Sequence, residues 1–276
     1  MRVDSYMAGF ALVIGSVLVS ILGLLLVRRR IDARILKACH EVGGYLLSVV
    51  GTLYAVLLGL IVVDAMSVFQ EAHQTTEQEA NALADLVLLA KQLPEGRRRE
   101  MIRLASRYAD LVIDREWEEM DRGQCSAEAR HAALELIDAA FRCEPHSESE
   151  QALHDARVAA ALQLWNSRRC RIELSARGIP ALKWYVLILG GVITIFFTFF
   201  FIVESLKIQA LMTALITVSI ALNIFLVAMF GYPYSGDLRV DPSCYRAAQE
   251  IASDLQGPPP CPPPSPIGRA AGVRRR

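Results

Sequence analysis

The sequence predicts an all-α membrane protein: four spans, with a helical-bundle domain inserted between spans two and three. Three observations carry that prediction. Four long apolar runs alternate with charged segments, and a helix of about 20 residues crosses the ~30 Å hydrocarbon core of a bilayer. The 276 residues are 53% hydrophobic with a mean hydropathy of +0.33, too apolar for an ordinary soluble chain. The polar insert, finally, repeats its apolar residues at helical rather than strand spacing.

Residues 1–41 hold the first span, 6–27, and a basic loop with Arg28, Arg29, Arg30, Arg34 and Lys37. A secretory signal carries its charges before the apolar run and a small-residue cleavage site after it. Here the charges follow, so the segment is expected to stay as an anchor. Residues 42–63 are the second span, uncharged between Glu41 and Asp64. Within it Gly51, Ala55 and Gly59 recur every four residues as a small-residue ridge, flanked by Ser48 and Thr52. Lipid supplies no hydrophobic drive for helix pairing, so such ridges serve close helix contact. The span reads as the central, self-associating one.

Residues 64–180 form the polar helical domain, with 21 acidic and 15 basic residues. The span-two helix continues into it on a stripe of Phe69, Ala72, Thr76, Ala80, Leu83, Val87 and Ala90, with Pro94 as its stop. Met101, Leu104, Tyr108 and Leu111 mark a helix over 95–122 that ends at Gly123. Ser126 opens a shorter helix to about Cys143. Ser147 and Glu150 make a capping box, opening a helix with Leu153, Ala160 and Leu164 inward and Gly178-Ile179-Pro180 as its stop.

Residues 181–231 are spans three and four, 184–203 and 208–230, with Lys183 and Trp184 as an interfacial anchor. One helix over 184–230 would be about 70 Å long, so the chain turns near Glu204–Lys207 and the spans form a hairpin. Residues 232–256 are a turn and an amphipathic helix, capped by Asp241, begun by Pro242 and apolar at Cys244, Ala248, Ile251 and Leu255. The Pro-rich tail 257–276 is expected to be disordered or polyproline-like.

A balanced charge, 29 Lys and Arg against 29 Asp and Glu, argues against a dedicated nucleic-acid binder as a whole. No P-loop, GxSxG, HExxH or dinucleotide turn is present, so no catalytic, cofactor-binding or metal-binding residue is expected and the chain does not read as an enzyme. Cysteines 39, 125, 143, 170, 244 and 261 show no CxxC or metal spacing and read as free thiols. His73 and Glu77 at i, i+4 read as a solvated helix face, and Arg97-Arg98-Arg99, flanked by Glu95 and Glu100, as a charged helix start. Arg168, Arg169, Arg171, Arg177 and Lys183 precede span three, where they would contact lipid headgroups or concentrate anions at a pore mouth.

No Asp, Glu, Lys, Arg or His lies inside the spans. That counts against a proton-coupled transporter but not against an anion pore lined by hydroxyl and apolar groups. Ser48, Thr52 and Tyr54 are the candidate pore-lining residues. Thr213, Thr217, Ser219 and Asn223 form a polar set in span four, expected first as interhelical hydrogen bonds worth ~0.6 kcal/mol each.

Five stretches, EVGGYLLSVVGTLYAVLLGLIVVDA (41–65), EQEANALADL (77–86), REWEEMDRG (115–123), ESLKIQALMTALITVSIALNIFLV (204–227) and YPYSGDLRVDP (232–242), resemble the bestrophin-like family of bacterial membrane proteins. The resemblance covers roughly residues 10–256. It implies four spans with a helical domain between the second and third, and kinship with bestrophins, which are pentameric anion channels with calcium-regulated members. A calcium clasp would need a run of carboxylates after span four, where this chain offers Asp237 and Asp241. The usual Pro-Phe-Ser-Gly is here Pro233-Tyr234-Ser235-Gly236. For orientation, the basic 28–41 loop points to the cytoplasm, whereas kinship would place the large domain there. Two functions follow as expectations for this multi-pass protein of the cell (inner) membrane. One is an oligomeric channel for small anions. The other is a non-conducting, membrane-anchored interaction protein whose helical domain binds a partner.

Overall fold

The longest element is a single helix, α2 (His40–Leu89), whose 50 residues run from the second apolar stretch into the polar region without a break. At 1.5 Å per residue it is about 75 Å long, more than twice the hydrocarbon thickness. Its apolar half holds Gly43, Gly44, Gly51 and Gly59 and stays helical, because backbone groups in lipid find no partner but one another. The computed structural model describes residues 5–30, 40–142, 145, 147–201, 203 and 205–256. Arg34, Lys37, Cys39, Cys143, Glu204 and the 257–276 tail, with Cys261, lie outside the described residues.

Helix α1 (Tyr6–Arg30) packs along the helix of the fourth span. The Tyr6 backbone N–H donates to Asp237 Oδ2 at 2.7 Å, so a remote carboxylate caps the positive end of the α1 dipole. At the other end Arg28 Nη2 donates to the Val203 carbonyl at 2.5 Å. The start of α1 therefore lies with the segment after span four, and its basic end lies beside the turn between spans three and four. The third span is α7 (Ala181–Thr198), three residues earlier at its start than expected, because Pro180 occupies the N-cap. It ends before Phe199, where the backbone turns toward α8 (Leu206–Phe230).

Beyond the spans, the polar half of α2 packs with α3 (Glu95–Leu111), a π-helical turn (Val112–Glu116), α4 (Trp117–Asp121), α5 (Ala127–Phe141), α6 (Glu148–Arg177) and α9 (Ser243–Gln256). Among the described residues no strand occurs. The expected stripe is buried at Ala72, Thr76, Ala80, Leu83, Val87 and Ala90, with Phe69 packed against it. Pro94 is not what ends α2: the helix gives way at Leu89 to a 3-10 turn, Ala90–Gln92, and Pro94 instead sits at the N-cap of α3. The 95–122 helix is likewise not regular. Its π turn adds a residue to one turn, and both Glu116 and Trp117 are buried there. Gly123 closes it at φ +71°, a left-handed conformation that glycine adopts without a Cβ clash.

Ser126 and Ser147 cap α5 and α6 by accepting from the Ala129 and Glu150 N–H groups at 3.4 and 3.3 Å. Asp241 Oδ1 accepts from the Ser243 N–H at 2.6 Å and so opens α9. That helix buries Tyr245, Ala248 and Ala252 in the same core as α2–α6. The chain after span four thus returns to the helical body.

Candidate functional site

Two parts of α2 carry the features that bear on function. In the apolar half Tyr54 and Leu58 are buried against α7. The Tyr54 hydroxyl donates to the Leu187 carbonyl at 3.0 Å. Its ring occupies the notch left by two glycines: a Cβ on Gly190 would stand 2.4 Å from Tyr54 Cδ2. The other face of α2 meets open space among the described residues. Nothing lies within 4 Å of a Cβ built on Gly51 or Gly59, and Ala55, Ser48 and Thr52 are exposed. Spacings of three and four residues put Ser48, Gly51, Thr52, Ala55 and Gly59 on one side of the helix. Tyr54 does not share it: of the three residues expected to line a pore, it is buried against α7, while Ser48 and Thr52 lie on the open face. Thr52 Oγ1 donates to the Ser48 carbonyl at 2.7 Å, which satisfies the hydroxyl proton inside the helix and leaves its oxygen as an acceptor.

In span four the hydrogen bonds are mostly local. Asn223 Nδ2 donates to the Ser219 carbonyl at 2.8 Å and Ser219 Oγ to the Leu215 carbonyl at 3.0 Å, not to a neighbouring helix as expected. The hydroxyls of Thr198 on α7 and Thr213 on α8 lie 3.5 Å apart. His73 and Glu77 form an exposed pair at 3.3 Å, and Glu95 pairs with Arg98 and Arg99. No group of three or more metal-type ligands occurs among the described residues, and Asp237 and Asp241 are each engaged with a backbone N–H.

The five basic residues before span three separate into two kinds. Arg169 and Arg177 are exposed, Arg177 pairing with Glu173 at 2.9 Å. Lys183 bonds Asp64, joining the first turn of α7 to the end of the apolar part of α2. Arg168 and Arg171, in contrast, are 4% and 0% exposed, which corrects the expectation that they face headgroups or a pore mouth. On α6 they fall on the same side as Leu164 and Leu174, both buried.

There they meet two equally buried carboxylates. Arg171 forms a fork with Glu79 of α2, Nε to Oε2 at 2.7 Å and Nη2 to Oε1 at 2.9 Å. It also donates to Glu116 Oε2 at 2.7 Å and, through Nη1, to Met120 Sδ at 2.8 Å. Arg168 Nη2 bonds Glu116 Oε1 and the Ser126 carbonyl. The Tyr108 hydroxyl donates to Glu79 Oε1. Trp117 lies under the Arg171 guanidinium at 5.2 Å, a cation–π contact, and its Nε1 donates to the Val240 carbonyl at 3.0 Å. Tyr234, edge-on to Trp117, donates to the Ala72 carbonyl at 2.9 Å and meets Thr76 Oγ1 at 3.1 Å.

Two arginines and two glutamates make the network neutral. Burial works against the Arg171 charge, but Glu79, the Tyr245 oxygen and Glu116 outweigh it and hold the guanidinium protonated well above its ordinary range. Burial, reinforced by Glu79, pushes the Tyr108 hydroxyl far up. Burial also raises Tyr234 to about 12. Arg171 therefore stays charged, and Tyr108 and Tyr234 stay neutral, across the physiological range. The cluster ties α2, the π turn, α6 and the segment after span four into one unit. Three of the five stretches that carry the family resemblance, 77–86, 115–123 and 232–242, supply Glu79, Glu116, Trp117, Met120, Tyr234 and Val240 to it.

Comparison with known proteins bears on the family and the fold. The Bestrophin-like domain profile matches residues 14–245. A bestrophin homologue from Klebsiella pneumoniae, crystallised as a point variant, superposes with a TM-score of 0.67 at 14% identity, covering 89% of this chain and 99% of that one. A second variant of the Klebsiella pneumoniae homologue gives 0.64 at 15% identity, with 88% and 97% covered. No curated protein matches.

Proposed function

The chain belongs to the bestrophin-like family, and from that premise we propose that it is a homo-oligomeric channel for small anions in a bacterial inner membrane. In this reading α2 lines the axis, the assembly has no catalytic role, and small anions and lipid are its partners. One observation carries the reading: the Ser48–Gly59 face of α2 is a small-residue face with hydroxyls whose Gly51 and Gly59 meet open space among the described residues. In a bilayer a small-residue face with hydroxyls is suited to a second helix or to a narrow hydrated axis. The uncharged spans fit passage of an anion without proton coupling. In this reading the exposed Arg169 and Arg177 of α6 meet headgroups or attract anions.

The purified oligomer in planar bilayers tests the proposal. A chloride-selective current altered by Ser48→Ala or Thr52→Val supports it. A silent bilayer with an intact, folded oligomer favours the membrane-anchored interaction protein instead.

A further inference from the structure

Three arginines of α6 are buried, and two of them have been accounted for. Arg171 and Arg168 are held by Glu79 and Glu116. The third, Arg157, is 4% exposed, yet it forms no ion pair among the described residues, and its Nε, like that of Arg168, has no hydrogen-bond partner. It lies 14 residues before Arg171, about 21 Å further along α6 and away from the membrane spans. One turn earlier, on the same side of the helix, His154 Nδ1 is also buried without a partner. Two ring or guanidinium nitrogens at i and i+3 are thus both withdrawn from water and both unsatisfied.

Burying part of a guanidinium without an anion is costly, because the desolvation of Arg157 Nε is not offset by any opposite charge among the described residues. The rest of α6 shows how this chain meets that cost, with a carboxylate for each buried arginine. At Arg157 no side chain of the described residues plays the part. We propose that Arg157 and His154 form a binding site for a small oxyanion of the phosphate type, at the membrane-distal part of the helical body. The planar guanidinium donates in a fork that matches two oxygens of such an anion, and the imidazole Nδ1, carrying its proton, donates to a third. The site lies within one protomer and is independent of whether the oligomer conducts.

The test is thermal unfolding of the full-length purified oligomer at constant ionic strength and constant chloride, with inorganic phosphate as the probe. The wild type is expected to gain stability saturably with phosphate. Arg157→Met should weaken the apparent phosphate affinity by roughly thirtyfold or more. It should also be no less stable than the wild type when phosphate is absent, since it removes an uncompensated charge. Arg157→Lys keeps the charge without the fork and should fall between them, and it reports in place of Arg157→Met should that variant fail to assemble. Arg130→Gln, an exposed arginine on α5, should respond as the wild type does. The proposal is overturned if the wild type shows no saturable phosphate response. It is equally overturned if both Arg157 variants keep the wild-type response, or if Arg157→Met dissociates the oligomer irrespective of phosphate, which would assign the arginine to a carboxylate of a second copy.

Discussion

Between His40 and Ala65, α2 buries Tyr54, Leu58 and Ala65, while Val49, Leu53, Val56, Leu60 and Val63 stand exposed. Between Ala72 and Leu89 the same helix buries Ala72, Thr75, Thr76, Glu79, Ala80, Ala82, Leu83, Leu86 and Val87. The backbone is continuous, so the contrast lies in what each half is given to pack against. The polar half is enclosed by its own chain, and the ionic network fixes its rotation against α6. The apolar half is held on one side by the Tyr54 and Gly190 notch and is open on the other. A rigid helix that is locked in the helical body and unpartnered in the membrane is well placed to present one chosen face to further copies of itself. It also means that a substitution in either half should report on a different property, stability in the first case and assembly in the second.

The largest expected effect is on the locked half. Arg171→Met leaves Glu79 and Glu116 buried beside each other with only Arg168 to offset them, and breaking a buried pair in this way costs about 3–5 kcal/mol. Chemical or thermal unfolding of the oligomer in detergent measures it. A loss of less than about 1 kcal/mol, the range of an exposed ion pair, would erase the contrast between the halves. Next comes Gly190→Ala, whose added Cβ would stand 2.4 Å from the Tyr54 ring. Overpacking of this kind costs about 1–3 kcal/mol. The double variant Gly190→Ala with Tyr54→Ala should recover part of that loss, and an additive result would show that the notch is not the contact.

Gly51→Leu and Gly59→Leu sharpen the comparison from the other side. Each meets open space within the protomer, so the stability of the individual subunit should move by less than about 0.5 kcal/mol. Oligomer size in mild detergent should nevertheless fall. Unchanged size with both variants would mean that this face meets lipid and not another copy.

The smallest effect expected is a pH dependence in the locked half. Burial raises the Cys244 thiol from its ordinary 9.0 to about 11, so the folded state favours the neutral thiol. The corresponding stability is complete below pH 9 and is lost as the pH rises through about 11. Alkylation of a variant with Cys244 as its only cysteine should rise to half its maximum near pH 11 when folded and near pH 9 in denaturant. Identical profiles would place the thiol in water.

Much of the fold was legible in the sequence, for reasons that differ by element. An uncharged stretch such as 42–63 has few physical destinations other than a bilayer. The stripe from Phe69 to Ala90 repeats at the helical period for long enough to identify its inward side. The ionic network was harder to see. Arg168 and Arg171 stand in a basic segment just before a span, where such residues usually face water or headgroups. The available signal was their register, since they fall on the stripe of Leu164 and Leu174, as Glu79 falls beside Thr76, Ala80 and Leu83. The π turn left no periodic trace, because an added residue resets the register it would be recognised by. Tyr54 stands close to Ser48 and Thr52 in the sequence, but six residues from Ser48 carry it around the helix to the α7 side.

The central claim is that the open face of α2 lines a hydrated axis, and thiol accessibility during current recording tests it most directly. In a cysteine-free background, Thr52→Cys should be modified by a charged, membrane-impermeant thiol reagent, and the anion current should change as modification proceeds. Leu189→Cys, on the exposed side of α7, should remain unmodified with its current intact. If the Thr52→Cys oligomer conducts anions but neither reacts with the reagent nor changes its current, the axis does not run along this face of α2.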